Sequence, residues 1–152
     1  MNPPWEGSSE REGKAPGRIL NREIFLYLLD LEVKRARRYK NFFCILLLKI
    51  TPLSEDNNGG LKSGYQKLTH LLEEEIRESD ILGWLKEDRL AALLPYMDRS
   101  NGSCVKSRFE SNLKYCNFAD DGYEVVVDQI CFPQDGTGSK DLMEKALGAE
   151  RT

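Results

Sequence analysis

The stretch that decides the fold is Arg77-Glu78-Ser79-Asp80-Ile81-Leu82-Gly83-Trp84-Leu85-Lys86-Glu87-Asp88-Arg89-Leu90-Ala91-Ala92-Leu93-Leu94-Pro95. It reads as the end of a helix, a strand, a tight charged turn and a second strand. Ile81, Leu82 and Leu85 supply one apolar run, and Leu90 to Leu94 supply the other. Lys86, Glu87, Asp88 and Arg89 lie between them, four charges in a row. Strands joined by so short a connection are antiparallel neighbours, so the turn projects its charges together from one end of a sheet.

Upstream of the hairpin, Leu61, Leu68, Leu71, Leu72 and Ile76 recur at helical spacing, and Glu73-Glu74-Glu75 reads as the solvated face of that helix. Before it, Pro52, Asn57, Asn58, Gly59 and Gly60 break a loop over 51–60. Phe42 to Ile50 is apolar except at Lys49, as expected of a strand buried on both faces. Asn21 is placed to cap a helix that runs to about Tyr39, with Phe25, Leu28, Leu29 and Ala36 on one side and a basic end at Lys34–Arg38. Residues 1–17, rich in Pro, Gly, Ser and charge, read as a disordered tail or linker, leaving 18–152 as one domain.

Downstream, Val105, Phe109 and Leu113 mark a helix over about 100–115. A polar turn at 117–122, a strand over Tyr123–Phe132 and a short helix over Leu142–Leu147 complete the chain. The order helix, strand, helix, strand, strand, helix, strand, helix predicts an α/β fold with a central, mostly antiparallel sheet flanked by helices.

A length of 152 residues suits one domain with a sizeable core. A formal net charge of -3 argues against a nucleic-acid partner, and no apolar run approaches the ~20 residues of a membrane helix. The start Met1-Asn2-Pro3-Pro4-Trp5 has no secretory pattern, so a cytoplasmic location is expected. Cys44, Cys104, Cys116 and Cys131 are widely spaced and read as free thiols. The single histidine, His70, reads as a helix-surface residue rather than a base, and no metal or other cofactor is expected.

Taken together, these segments resemble a GGDEF domain, the diguanylate cyclase fold, similar to nucleotidyl-cyclase palm domains. The resemblance rests on Leu20-Asn21-Arg22, Lys34 to Lys40, Ile45 to Leu48, Arg77 to Asp80, Ala91 to Pro95 and Phe132 to Gly136, in order and in register over about 19–147. It implies that Lys86-Glu87-Asp88-Arg89-Leu90 stands at the Gly-Gly-Asp/Glu-Glu-Phe signature. Long charged side chains then occupy positions where glycines leave room for a guanine nucleotide. Asp88 keeps an acid at the third, metal-binding position, and Arg89 replaces an acid at the fourth. The family's other metal-binding Asp falls on Lys49, which cannot coordinate Mg²⁺ while charged. A downstream Asp falls on Thr51. The substrate loop is reduced to Asp56–Gly60, Tyr65 stands for a usual Asp, and a Ser-Ile-Gly pattern reads Val126-Val127-Asp128.

Two-metal phosphoryl transfer needs carboxylates that hold both ions. The resemblance therefore implies a degenerate, non-enzymatic domain with no catalytic residues. It also implies a surviving ligand site. Arg77-x-x-Asp80, five residues before the signature, matches the family's inhibitory site for cyclic di-GMP, and Arg108 falls at its second arginine. Arginine offers a bidentate fork to guanine or phosphate, and aspartate accepts from guanine N–H groups. The expectation is a signalling receptor for cyclic di-GMP. The alternative is a protein-interaction module without nucleotide binding, contacting another signalling protein through the Lys86–Arg89 turn or the Lys34–Arg38 helix end. GTP binding without turnover ranks below both, because the glycine turn is missing.

Overall fold

The computed structural model describes residues 19–53 and 61–148. The tail expected over 1–17 and the reduced loop at Asp56–Gly60 lie outside the described residues, and so does the side chain of Leu61. The elements are β1 (Ile19–Leu20), α1 (Arg22–Tyr39), β2 (Phe43–Pro52), α2 (Leu61–Glu75), β3 (Ile81–Lys86), β4 (Arg89–Pro95), α3 (Arg99–Cys116), β5 (Tyr123–Phe132) and α4 (Ser139–Gly148), with a 3₁₀ turn over Phe118–Asp121.

The strands form one sheet in the order β1-β3-β4-β2-β5. β1 runs parallel to β3, and the other three ladders are antiparallel. This is the α/β architecture expected, with one addition. Ile19 and Leu20 pair with Leu82 and Gly83, a contribution too short to announce itself by periodicity.

β2 is the spine, paired with β4 from Phe43 to Lys49 and with β5 from Phe43 to Pro52. Its continuous apolar run reflects burial on both faces. Cys44, Leu46, Leu48 and Ile50 join one core with Leu68 and Leu72 of α2 and Phe109 and Leu113 of α3. Phe43, Ile45 and Leu47 join the other with Phe25, Leu29, Val33 and Ala36 of α1 and Leu142 and Ala146 of α4. Leu28, expected on the buried side of α1, is only half-buried.

The helix ends follow local chemistry. Asn21 Oδ1 accepts the Ile24 N–H at 2.9 Å, and Lys40 ends α1 in a left-handed conformation at φ 58°. Asp98 caps α3 in the same way, accepting from Asn101 N at 2.8 Å, and Asn117 closes it at φ 58°.

The turn after β5 is held by Asp135. Its carboxylate accepts the Cys131 N–H at 2.7 Å and the Arg99 guanidinium at 2.6 Å, with Lys145 at 3.8 Å. Burial works to raise its pKa, but the Cys131 N–H and Arg99 outweigh it, and the carboxyl lies below its ordinary 3.8. A folded pKa below the unfolded value gives stabilisation that is complete above the unfolded value and is lost as pH falls through the folded one. Urea midpoints should therefore drop below about pH 4 in the native protein. They should drop less steeply there in Asp135→Asn, which starts from a lower midpoint at neutral pH. Parallel acid limbs in the two proteins would refute this role for Asp135.

Candidate functional site

Two places carry the residues singled out from the sequence: the tip of the β3–β4 hairpin and the corner between α2 and β3.

At the tip, the connection is a two-residue turn, Glu87–Asp88, closed by the pair Lys86↔Arg89. The ladder shifts register between Trp84 and Lys86, which gives β3 an extra residue at Leu85. Reading all four charges as one projecting turn is therefore corrected. Lys86 and Arg89 belong to the strands, and Arg89 is only 4% exposed. The physical cause is ladder extension, because Arg89 stands directly opposite Lys49 of β2.

A groove of ≈ 710 Å³ opens here, lined among others by Arg22, Lys49, Thr51, Lys86, Glu87 and Asp88. Two backbone contacts fix its walls. Arg22 Nη1 donates to the Leu85 carbonyl at 2.7 Å, and Ile50 N donates to the Asp88 carbonyl at 3.1 Å. Asp88 Oδ1 lies 4.0 Å from Arg89 Nε, so the one acid retained at a signature position faces a guanidinium.

Behind the turn, Tyr65 meets Trp84 edge-on, with ring centroids 4.8 Å apart. Its hydroxyl is buried, and burial first, then Asp88 and Glu87, push its pKa up, so it stays a neutral phenol. Among the described residues no group of three His, Cys, Asp or Glu side chains is placed to hold a metal ion. Among the described residues, this groove sets the Arg22, Lys49 and Lys86 cations beside the Glu87 and Asp88 carboxylates, and Tyr65 behind the turn keeps a neutral hydroxyl.

At the corner, Arg77 and Asp80 are brought together. Arg77 donates through Nη2 (2.9 Å) and Nε (3.2 Å) to Asp80 Oδ1, and its backbone N–H donates to Asp80 Oδ2 at 2.7 Å. Nη2 also donates to the Pro95 carbonyl at 2.9 Å, tying the start of β3 to the end of β4. The Asp80 side chain is 2% exposed and the Arg77 side chain 47%. Asp80 thus acts inward, as the buried anchor of a guanidinium whose plane is fixed and half open to solvent.

Arg108 of α3 sits beside the C-terminal end of α2. Its Nε donates to Glu75 Oε1 at 2.6 Å, while Asn112 Nδ2 donates to Glu75 Oε2 at 2.7 Å. Glu75, read from sequence as a solvated charge, instead binds α3 to α2 two residues before Arg77. Only the packing of α2 against α3 reveals that role. Arg22, which lines the groove at the hairpin tip, was likewise invisible as a site residue.

No family model and no curated protein sequence matches the chain significantly. Solved structures do. A DGC protein from Thermotoga maritima superposes with a TM-score of 0.75 at 18% identity, over 87% of this chain and 95% of that one. The fold is that of a GGDEF domain. The GGDEF domain of DgcB from Caulobacter crescentus, solved in complex with c-di-GMP, gives 0.70 at 15% identity over 86% of this chain and 82% of that one. The FimX GGDEF domain from Pseudomonas aeruginosa gives 0.67 at 14% identity over 86% and 85%. No helix among the described residues of this GGDEF fold is long and apolar enough to cross a membrane.

Proposed function

We propose that this is a non-catalytic GGDEF-fold signalling domain that reads cyclic di-GMP at the Arg77 corner rather than making it. The observation that carries the non-catalytic part is the register Lys49↔Arg89. Lys49 stands where the resemblance places one metal-binding carboxylate, and Arg89, directly opposite it, replaces the acid at the fourth signature position, while Asp88 is kept at the third. Like charges directly opposite on neighbouring strands repel one another, and a divalent cation between them adds to that repulsion.

The receptor part rests on the arrangement of Arg77. Asp80 and the Pro95 carbonyl hold the guanidinium in one orientation, so little side-chain freedom is lost when a guanine edge or phosphate arrives. Arg108 is committed to Glu75 and contributes less.

Isothermal calorimetry with cyclic di-GMP tests this reading on three proteins. Arg77→Ala should weaken binding by roughly ten- to a hundredfold, the scale of one charge-assisted hydrogen bond from the guanidinium. Arg77→Lys should not restore it, since an ammonium lacks the planar fork. Arg108→Ala should change affinity by less than about threefold, the scale of an exposed ion pair. Equal affinity in native protein and Arg77→Ala would refute the site.

A second reading, a protein-interaction module, is favoured by one specific feature. Ile24, Tyr27 and Leu31 of α1 are 47%, 65% and 44% exposed at helical spacing. It becomes the leading reading if cyclic di-GMP produces no saturable heat.

A further inference from the structure

Cys44 lies on the interior strand β2 and Cys131 on the edge strand β5, and the antiparallel ladder sets them directly opposite each other. Directly paired antiparallel residues have Cα atoms about 4.5–5.5 Å apart, inside the ~4.4–6.8 Å that a disulfide spans. The two Sγ atoms are 2.7 Å apart, closer than unbonded sulfur atoms normally rest.

The surroundings hold both thiols in this arrangement. Gln129 Nε2 donates to Cys131 Sγ at 3.3 Å and to Cys44 Sγ at 3.6 Å, and is itself fixed by the Arg99 carbonyl at 3.0 Å. The carbonyls of Met97 and Asp98 lie 3.3 and 3.4 Å from Cys44 Sγ. Gly102 of α3 closes the space above, where a Cβ would come within 2.9 Å of Cys44 Sγ. The other two cysteines, Cys104 and Cys116, are more accessible and lie on α3.

We propose that Cys44 and Cys131 are a redox modification site that closes reversibly into a cross-strand disulfide between the edge strand and its neighbour. The co-reactant is a small two-electron oxidant of the peroxide class. One sulfur attacks a peroxide oxygen, the O–O bond breaks, and a sulfenic acid and one water form. The second thiol then displaces the hydroxyl from the sulfenic sulfur, the S–S bond forms, and a second water leaves. The thiols together lose two electrons and two protons, and the peroxide gains both.

Both thiols are buried, so a small oxidant must reach them through local opening of the sheet edge at β5, which has a neighbour on one side only. Burial pushes the Cys44 thiol up to about 12, so its thiolate is scarce near neutral pH and closure is slow without a sustained oxidant. Closure also removes the thiol hydrogen that Cys44 directs at the Met97 and Asp98 carbonyls. It therefore alters the start of α3, the helix that carries Arg108.

The test uses a Cys104→Ser/Cys116→Ser variant, which leaves only the proposed pair. It is incubated with hydrogen peroxide, unfolded in guanidinium and titrated with Ellman's reagent. Titratable thiols should fall from two to none, with the protein still monomeric on a non-reducing gel, the mass lower by two hydrogens, and both thiols recovered with dithiothreitol. Two thiols persisting, a covalent dimer, or mass gained as oxygen would overturn the proposal. Peptide mapping of the oxidised native protein serves as the second measurement, independent of those substitutions. It should recover a Cys44–Cys131 link, whereas linkage of either residue to Cys104 or Cys116 would contradict it.

Discussion

Incubated with Mg²⁺ and GTP, the purified protein is expected to form no diguanylate above the buffer background. At an effective dielectric constant of about 20, a divalent ion about 5 Å from one unit cation is opposed by about 7 kcal/mol. Each ~1.4 kcal/mol is a factor of ten in affinity. Lys49 both removes one carboxylate from this end of the sheet and adds a charge that opposes a divalent ion, and Asp88 and Glu87 offset only part of that opposition. The nucleotide meets a second obstacle, because Lys86 and Glu87 place long side chains where the resemblance puts glycines.

The same geometry predicts that a single reversal fails. Lys49→Asp restores one carboxylate but leaves Lys86 and Glu87 at the glycine positions of the turn and Arg89 at the fourth signature position. Turnover should therefore stay at background in Lys49→Asp as in the native protein, measured by chromatography of the nucleotide products. Diguanylate formed by the native protein would overturn the non-catalytic reading outright.

The largest stability effect is expected at Gly83, in the interior strand β3. A Cβ there would lie 2.5 Å from Cβ, Cγ and Cδ1 of Phe25, distances that real side chains do not tolerate. Phe25 is fully buried on α1, and its Cβ moves only with the helix backbone. Gly83→Ala must therefore push α1 off the sheet or distort β3, at a cost of about 3 kcal/mol. For a domain of this size that corresponds to a fall in Tm of roughly 6–12 °C by calorimetric scan. Gly148→Ala is the control, since nothing lies within 4 Å of its Cβ position, and its Tm should stay unchanged or rise slightly. Equal Tm values for the two variants would contradict the close packing of α1 on β3.

Much of this architecture could be read from the chain because local and global signals agree. The unbroken apolar run of β2 announces a strand buried on both faces, and Asn21 marks a helix start with its own side chain. The hairpin could be read from two apolar runs and a short charged link. What escaped depends on register. Whether Arg89 ends in water or in the sheet is decided by its pairing with Lys49, which no local pattern encodes. The pairing of Cys44 with Cys131 has the same origin, since their separation in sequence says nothing about the ladder between β2 and β5. Glu75 looked like one of three solvated acids until α3 was packed beside α2. At the corner, the spacing of Arg77 and Asp80 was legible as a motif. The division of labour was not: Asp80 is buried as an anchor, and Arg77 alone is presented to solvent.

That division makes the α2–β3 corner, rather than the hairpin tip, the centre of the proposed activity. The most direct test is a two-dimensional ¹H–¹⁵N NMR titration of the native protein with cyclic di-GMP, without added metal. Saturable shifts should concentrate on the backbone amides of Arg77 to Asp80 and on the Arg77 Nε–H resonance, while Lys49 and Lys86 to Arg89 stay in place. A spectrum unchanged by ligand, or shifts centred on Lys49 and the Lys86–Arg89 tip, would contradict it.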